Sequence, residues 1–227
     1  MRAIVDHFGS LPRAYLVLEG MGLGQVYHRG LGVERYRITA RTKGGHSWVD
    51  YGKPSAVHHL AALAARIASL SLPRSPHTTL NVGTFNGGTS INTIAAEAHM
   101  DLDMRSEDSG ALQALAGHVR QMVEEARRSG VSFEVETIGR RPAGEIPRDH
   151  PLVRLAENCL RGEGIHPHPE IASTDATIPL SRGLPAVCIG LTTGGGAHTT
   201  AEFIDIPPLR HGIQQLIALV SGVWDVV

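Results

Sequence analysis

The sequence predicts a mixed α/β protein in which a smaller α+β domain is inserted into an α/β domain. Residues 14–20, AYLVLEG, form a continuous apolar run, which is typical of a strand buried on both faces of a parallel sheet. Residues 33–137 then show strand and helix patterns in the order β-α-β-β-α-β. Helix and strand patterns resume near residue 150, so we predict one domain over 1–31 and 142–227 and an inserted domain over 32–141.

The composition excludes several classes of partner. The 227 residues carry 21 Lys and Arg against 22 Asp and Glu, so no basic excess would attract nucleic acid or an anionic membrane. Cys159 and Cys188 have no CxxC spacing, which favours packing roles in a reducing compartment. Because Asp6, His7 and Arg13 interrupt the first residues, we predict no signal peptide or anchor and a cytoplasmic location.

The first strand ends at Glu19, and a glycine-rich loop follows it. The letters GMGLG resemble a dinucleotide-binding loop, but the glycines at 20, 22 and 24 do not give GxGxxG and no helix pattern comes next. This excludes a nucleotide-binding domain of that type.

The inserted domain is predicted from two helices and four strands. The segments VERYRITART, TTLNVGTF and VSFEVET are predicted strands, and residues 94–105 form a further strand that alternates cleanly. The apolar face of 94–105 is predicted to comprise Ile94, Ala96, Ala98, Met100, Leu102 and Met104. The first helix places Leu60, Leu63, Ile67 and Leu70 on one stripe, with Pro54 near its start. The second places Leu112, Leu115, Val119, Met122 and Ala126 in register, with Gly130 as its stop. This order predicts a ferredoxin-like domain.

The last part of the chain returns to α/β character after a linker, RRPAGEIPRDHP. We predict a helix near 151–162, a short helix after Asp175, the strand PAVCIGL and the loop TTGGGAHTTAEFID. A terminal helix follows, with an inward face predicted as Leu209, Ile213, Leu216, Ile217 and Val220.

Glu19 and His198 are the first candidates for chemistry. Both follow predicted strands at their carboxyl ends, where α/β sheets bind ligands. Zinc accepts carboxylate and imidazole ligands, and the glycines before His198 let the backbone approach a metal closely. Taken alone, Glu19 is better explained as a solvated strand terminus and His198 as a loop histidine.

Four segments together resemble a known family. In chain order they are GGHSWVDYGKPSAV, NVGTFNGGTSINTIAAEAHMDLDMR, STDATIPLSRGLPAVCIG and GGGAHTTAEFIDI. They are similar to the co-catalytic zinc family that contains acetylornithine deacetylase, succinyl-diaminopimelate desuccinylase, glutamate carboxypeptidase and aminoacylase. The resemblance implies a partial zinc-exopeptidase-like α/β catalytic domain with an inserted ferredoxin-like dimerisation (lid) domain, and a homodimer formed through that lid.

The resemblance also implies residue roles. Glu19 and His198 match ligands of two different zinc ions, and His46 matches a lid histidine that stabilises the oxyanion in the partner subunit's site. Asn92 and Arg105 match lid residues that bind the substrate's carboxylate end, a task suited to the bidentate arginine fork. Thr174 and Asp175 match a turn that shapes the pocket. The implied substrates are N-acyl amino acids or short peptides, and the implied reaction is hydrolysis of an amide bond by a metallohydrolase with two Zn²⁺ per subunit, for which Co²⁺ or Mn²⁺ can substitute.

The family's first half does not precede Glu19. That half carries a His-x-Asp motif, a bridging aspartate and a Glu-Glu pair that supplies the general base, and none of these occurs before Glu19. Two segments imitate these motifs by spelling: residues 99–101 on a lid strand match His-x-Asp, and residues 124–125 on a lid helix match Glu-Glu. We therefore expect the chain as given to be a truncated form with weak zinc binding and little activity, either a fragment or the product of a misassigned start. The alternatives are a non-catalytic dimerisation or binding protein, or pseudoenzyme, and, ranked last, a small-molecule sensor.

Overall fold

The computed structural model describes residues 1–227, which divide into two compact units. Unit 1 comprises Met1–Leu31 and Pro142–Val227, and unit 2 comprises Gly32–Arg141. In chain order the elements are α1 (Arg2–Phe8), β1 (Tyr15–Glu19), β2 (Gln25–Gly30), β3 (Gly32–Arg41), β4 (Gly45–His46), α2 (Ala56–Ala68), β5 (Thr78–Gly87), β6 (Thr93–Ile94), β7 (Glu97–Ser106), α3 (Ser109–Ala126), β8 (Ser132–Arg141), β9 (Gly144–Glu145), α4 (Pro151–Gly162), β10 (His168–Ala172), α5 (Thr177–Leu180), β11 (Ala186–Gly190), β12 (Gly194–Gly195), β13 (Phe203–Ile204) and α6 (Leu209–Val226).

Unit 1 is built on a mixed sheet with the order β1-β11-β2-β10, to which the short strand β9 adds beside β2. β1 pairs parallel with β11, and β2 pairs parallel with β10, but β11 and β2 run antiparallel. β11 is buried along its whole length, as its apolar sequence predicts. The core of the unit joins this strand to the inner faces of α4 and α6, through residues that include Leu152, Leu160, Ile189 and Leu219.

The prediction that β1 is buried on both faces is wrong. β1 is an edge strand that pairs with β11 alone, and although Tyr15 and Val17 are buried, Leu18 is 44% exposed. The parallel pairing of β1 agrees with the apolar pattern. The second buried face that this pattern predicts is not formed by these 227 residues.

The predicted inward face of α6 is also wrong. The residues that α6 buries are Gly212, Gln215, Leu219 and Val223. Of the predicted set, Leu216 is partly buried against the core, but Ile213, Ile217 and Val220 are exposed. A one-residue shift of the apolar stripe explains the error, because α6 has two apolar faces and the periodicity alone does not tell which one meets the sheet.

Unit 2 is a four-stranded antiparallel sheet with the order β5-β7-β3-β8. With its two helices it has the predicted ferredoxin-like order of elements. α2 and α3 pack on one face, and their predicted stripes are buried, apart from Leu70, which follows the end of α2. The opposite face carries cross-strand ion pairs, such as Arg37 with Asp101 and Arg41 with Glu97 and Glu134.

Three local predictions in unit 2 and its boundary need correction. The alternation of β7 holds from Ala98 to Met104. Because the strand begins only at Glu97, the alternation does not extend to the residues before it, and Ala95 is buried whereas Ala96 is exposed. α3 ends at Ala126 rather than next to Gly130, whose positive φ of 78° serves the turn before β8.

The predicted linker after residue 139 also contains structure, because β8 continues to Arg141 and β9 pairs with β2. The sequence reading missed β2 altogether. None of the six helices is both long enough and apolar enough to cross a membrane.

Candidate active-site residues

Glu19 lies at the carboxyl end of β1, beside Gly190 of β11. Its backbone carbonyl accepts a hydrogen bond from the N–H of Leu191 at 3.0 Å, and its side chain is exposed. Gly190 has no room for a side chain, because a Cβ there would lie 2.1 Å from the carbonyl carbon of Gly22. The glycine-rich loop after Glu19 therefore crosses closely over the end of β11. This close contact fixes the position of the Glu19 backbone at the end of β1.

Cys188 brings three predicted site residues together. Burial raises the pKa of its thiol to about 12, and the negative charges of Glu19 and Asp175 add to that rise. The Thr174 side chain hydrogen-bonds to this thiol and opposes the rise. Glu19, Thr174 and Asp175 thus all act on the pKa of one buried, protonated cysteine. Cys188 itself is a packing residue, as predicted, because a thiol with that pKa is not nucleophilic near neutral pH.

Tyr27 is a neighbour of this group that sequence reasoning missed. It faces Cys188 across the β11–β2 pairing. Burial raises the pKa of Tyr27, and the charges of Glu170 and Glu19 raise it further. The phenol therefore stays protonated next to two carboxylates. The only local signal was the strand pattern of QVYHRG, and the cross-strand register that brings Tyr27 to Cys188 is not visible in the sequence.

His198 lies in the loop between β12 and β13 and has a positive φ of 64°, the only non-glycine residue in the chain with that geometry. Such a conformation is uncommon for a side-chain-bearing residue and is often found where a side chain is held for function. The N–H of His198 donates to Oε2 of Glu202 at 3.2 Å, and Thr199 closes the turn on Gly196. The loop is therefore held by its own hydrogen bonds, and the His198 side chain is exposed.

The residues present do not form a complete metal site. No group of three or more His, Cys, Asp or Glu side chains is placed to hold a metal ion. Structural and catalytic zinc sites need at least three protein ligands. Glu19 and His198 can therefore each supply no more than one ligand of an incomplete site.

His46 belongs to unit 2, where the short strands β4 and β6 pair through His46 and Thr93. Two backbone N–H groups, of Trp48 at 3.2 Å and Val49 at 3.4 Å, donate to Nδ1 of His46. A neutral imidazole that accepts at Nδ1 carries its proton on Nε2. The exposed ring of His46 thus presents a hydrogen-bond donor to the outside of the unit.

The backbone around His46 is equally constrained. Its N–H donates to Oδ2 of Asp50 at 2.8 Å. The hydrogen bond from Lys53 is the largest cause that holds the pKa of Asp50 below its usual value, and the hydrogen bond from the His46 N–H is the second. A Cβ at Gly45 would lie 2.7 Å from that same carboxylate oxygen. The Gly-His pair is therefore required by the turn, and the turn fixes the direction of the ring.

Asn92 lies next to His46, whereas Arg105 does not. The N–H of Ser47 donates to the carbonyl of Asn92 at 3.0 Å. Arg105 is the last residue but one of β7 and pairs with Val33, at the sheet end where the chain enters unit 2. The eight residue-to-residue steps of extended strand from Glu97 to Arg105 span roughly 27 Å. Within one copy of unit 2, Arg105 thus lies at the opposite end of the sheet from Asn92 and donates its Nε to Asp103 at 2.6 Å.

The two imitations of family motifs are engaged in surface ion pairs. Asp101 accepts two hydrogen bonds from Arg37, at 2.8 and 2.9 Å. Glu124 pairs with Arg127 and Glu125 with Arg66. These carboxylates lie on the charged sheet face and on the α3 surface.

A cleft of about 570 Å³ lies beside the β4–β6 pair, within unit 2. Its lining includes Lys43, Gly44, Gly88, Thr93 and His99. This cleft lies near His46 and is open to solvent.

Residues 28–131 match the peptidase dimerisation domain of M20 peptidases. The chain is also similar to the acetylornithine deacetylase of Photorhabdus laumondii, with 31% identity over 151 residues, and to that of Proteus mirabilis, with 32% over 152 residues. Each alignment covers 63% of this chain and 37% of the relative, so the chain spans little more than a third of the length of the curated relatives it matches.

Two solved structures share the fold. The aminopeptidase PepT of Bacillus cereus superposes with a TM-score of 0.77 and 22% identity, covering 92% of this chain and 57% of that chain. A tripeptidase of Staphylococcus aureus gives a TM-score of 0.77 and 22% identity, covering 90% and 55%. Residues 28–131 thus form a domain of the M20 peptidase dimerisation type, and the chain shares its fold with these two peptidases. More particularly, the chain is similar in sequence to part of the acetylornithine deacetylases.

Proposed function

We propose that this chain is part of a metal-dependent hydrolase that cleaves the amide bond of N-acyl amino acids or short peptides and acts as a homodimer. The dimerisation domain and the names of the relatives, acetylornithine deacetylase and aminopeptidase, support this reaction class. The observation that carries the proposal is the geometry of His46, whose Nδ1 is occupied by two backbone donors so that its Nε2–H points outwards.

The role proposed for His46 follows from that geometry. Hydrolysis of an amide bond builds negative charge on the carbonyl oxygen, and a donor held in place stabilises that charge without reorganising. We assign His46 to the partner subunit's site, with Asn92 beside it.

The other candidates have distinct proposed roles. Glu19 and His198 each supply one ligand, zinc being the expected metal, and the remaining ligands and the general base come from residues that this chain does not carry. Arg105 binds the substrate carboxylate. Because Arg105 lies far from Asn92, it acts from one subunit, whereas His46 and Asn92 act from the other. Thr174 and Asp175 shape the pocket around Cys188 and Glu19.

A mixing experiment in the longer enzyme tests the action of His46 in the partner's site. We expect His46→Ala and Glu19→Gln each to lower kcat by about 10²–10³-fold, the effect of losing one oxyanion donor or one ligand. Mixed and re-equilibrated, the two variants should regain activity, because a mixed dimer has one site with an intact Glu19 and the partner's intact His46.

Two controls accompany the mixing. His46→Gln keeps a side-chain donor and should retain more activity than His46→Ala. His46→Ala mixed with wild type gives the baseline for exchange of subunits. If the His46→Ala and Glu19→Gln variants never complement each other although subunits exchange, His46 does not act in trans and this role is wrong.

For the 227 residues alone we propose weak zinc binding and hydrolysis close to the uncatalysed rate. Calorimetric titration with Zn²⁺ and an assay with N-acetylornithine and an alanine tripeptide measure both. Tight binding of one or two zinc ions with turnover of either compound would contradict this proposal.

The alternative is a non-catalytic dimerisation or binding protein. The observation that favours it is the absence of any group of three metal ligands in the chain. A longer product of the same gene that dimerises but neither binds zinc nor turns over these substrates would support the alternative.

A further inference from the structure

His166 and His168 form a pair of imidazole side chains at the start of β10. Their ring centres lie 5.0 Å apart, with an angle of 72° between the ring planes. Both residues are exposed, whereas Pro167 between them is buried. In extended chain, residues two positions apart point to the same side. The two imidazoles therefore stand side by side on the surface of unit 1.

The backbone that carries this pair is restricted by its own sequence. The segment reads His-Pro-His-Pro, so each histidine precedes a proline, which keeps the histidine in the extended region, and each proline fixes its own φ. The N–H of His168 also donates to the carbonyl of Gly24 at 2.8 Å, and β10 pairs with β2 from His168 onwards. The two rings are thus held close together without a ligand, which lowers the entropic cost of binding one.

The separation of the rings fits two ligands on one metal ion. An imidazole nitrogen bound at about 2.05 Å places its ring centre about 3.2 Å from the metal. Two such rings at a ligand–metal–ligand angle of about 90° to 109° have centres roughly 4.5 to 5.2 Å apart. The observed 5.0 Å lies within that range, so rotation of the two exposed rings is enough to direct a nitrogen of each towards a shared ion.

The histidine pair is separate from Glu19. In the sheet order β1-β11-β2-β10, three strand spacings of about 4.8 Å lie between β1 and β10, which makes roughly 14 Å. One ion therefore cannot bind Glu19 and the histidine pair together. Neither histidine belongs to a group of three potential metal ligands, so water must complete the coordination of an ion bound to the pair.

We propose that His166 and His168 form a two-histidine site for a divalent transition-metal ion on the surface of unit 1. Imidazole suits Cu²⁺, Ni²⁺ and Zn²⁺, and among these ions Cu²⁺ binds most strongly to a given set of ligands. Two protein ligands are fewer than a structural or catalytic zinc site has, so Zn²⁺ is bound only weakly here, in keeping with the weak zinc binding proposed above for the 227 residues. The site is independent of the proposed hydrolysis.

Titration of the 227-residue chain with Cu²⁺ tests the site. Calorimetry in a non-chelating buffer gives the dissociation constant, and electron paramagnetic resonance of the complex gives the number of bound imidazole nitrogens. We expect the tightest site to hold one ion through two imidazole nitrogens. Because the two ligands act together, His166→Gln and His168→Gln should each raise the dissociation constant at least about tenfold and leave one imidazole nitrogen on the ion.

Two control variants separate this site from other histidines. His58→Gln with His118→Gln removes two exposed imidazoles, one from α2 and one from α3, and should leave the dissociation constant and the resonance spectrum unchanged. His198→Gln removes the imidazole of the loop between β12 and β13 and should leave both unchanged as well. Circular dichroism of every variant checks that the chain still folds.

Three results would overturn the inference. The first is a dissociation constant that changes in neither His166→Gln nor His168→Gln, because the tightest site then lies elsewhere. The second is a loss confined to one of these two variants, because the site requires both rings. The third is an equal loss in His198→Gln, which would assign the ion to the β12–β13 loop. None of these readouts requires hydrolysis, so a failure here is distinguishable from a failure of the proposed enzymatic function.

Discussion

Gln215 is the buried residue of unit 1 whose polar atoms are least well satisfied. It is fully buried on the inner face of α6, and neither its Oε1 nor its Nε2 has a hydrogen-bond partner. An unmade hydrogen bond inside a protein costs more than a made one contributes, because the group has lost its water. The side chain therefore lowers the stability of the unit.

We predict that Gln215→Leu raises the free energy of unfolding by about 1 kcal/mol, since it removes two unsatisfied polar atoms and keeps similar volume. Urea denaturation followed by circular dichroism measures the change. Gln214→Leu, at the exposed neighbouring position, is the control and should change stability by less than about 0.5 kcal/mol. A clear loss of stability in Gln215→Leu would indicate that the amide has partners in solution, and the argument would then be wrong.

Asp101 gives a pH dependence with a defined sign. Its hydrogen bonds from Arg37 are the largest cause of a carboxyl pKa below the usual value. The unfolded chain has an aspartate pKa of about 3.9, so the folded state holds the proton more weakly. The pair's contribution to stability is therefore fully present above that pH and is lost as the pH falls through the lower, folded-state pKa.

We predict that Asp101→Asn lowers stability at pH 7 and flattens the loss of stability below pH about 4. Denaturation midpoints measured from pH 7 down to pH 2.5 provide the test. Glu136→Gln, which removes a carboxylate from the same sheet face, is the comparison. An acid dependence equally steep in Asp101→Asn and wild type would show that this pair does not contribute to it.

At the scale of elements, α3 shows how one side chain defines a boundary. Asp108 precedes the helix in an extended conformation, and its Oδ1 accepts the N–H of Ala111 at 2.7 Å. This bond satisfies one of the N–H groups that a helix leaves free at its start.

We predict that Asp108→Ala destabilises unit 2 by about 1 kcal/mol, whereas Asp108→Asn, which keeps a capping oxygen, costs much less. Chemical denaturation of the three proteins under identical conditions measures the difference. Equal losses in both variants would mean that the charge of Asp108, rather than the cap, stabilises α3.

The elements were largely predictable where the pattern is local. α4 has the predicted bounds, and the buried stripes of α2 and α3 follow directly from apolar spacing. α6 was not predictable in the same way, because its sequence has two apolar faces and only the tertiary structure shows which one meets β11. β2 was missed because His28 and Arg29 interrupt its pattern, although His28 is buried and its Nδ1 lies 2.9 Å from the carbonyl of Ile146.

The candidate site was predictable only as separate residues. That Glu19 ends a strand, and that His46 follows two glycines in a turn, could be inferred from the sequence alone. The gathering of Glu19, Thr174, Asp175 and Tyr27 around Cys188 depends on strand register across the sheet, which no local pattern encodes. The functional roles of these residues stay predictions.

At the scale of the whole molecule, the two units present different unpaired edges. Unit 1 leaves β1 open, and unit 2 leaves β5 and β8 open. β8 carries two glutamates and two arginines, which discourage pairing with another strand, whereas β5, with the sequence TTLNVGTFNG, carries no charge over ten residues. In a domain whose family match names dimerisation, β5 is the edge suited to pair with its copy.

We therefore predict that Asn81→Lys with Asn86→Lys converts the proposed dimer to a monomer, because two copies of β5 would bring lysines together across the new pairing. Sedimentation velocity over a range of concentrations measures the change. The control is Ile138→Lys, which adds a charge to the β8 edge and should leave the dimer intact. A monomer produced by Ile138→Lys but not by the β5 variant would instead assign the contact to β8. In either case the His46 turn lies beyond the end of the sheet, so a monomeric variant should also lose the complementation expected between His46→Ala and Glu19→Gln subunits.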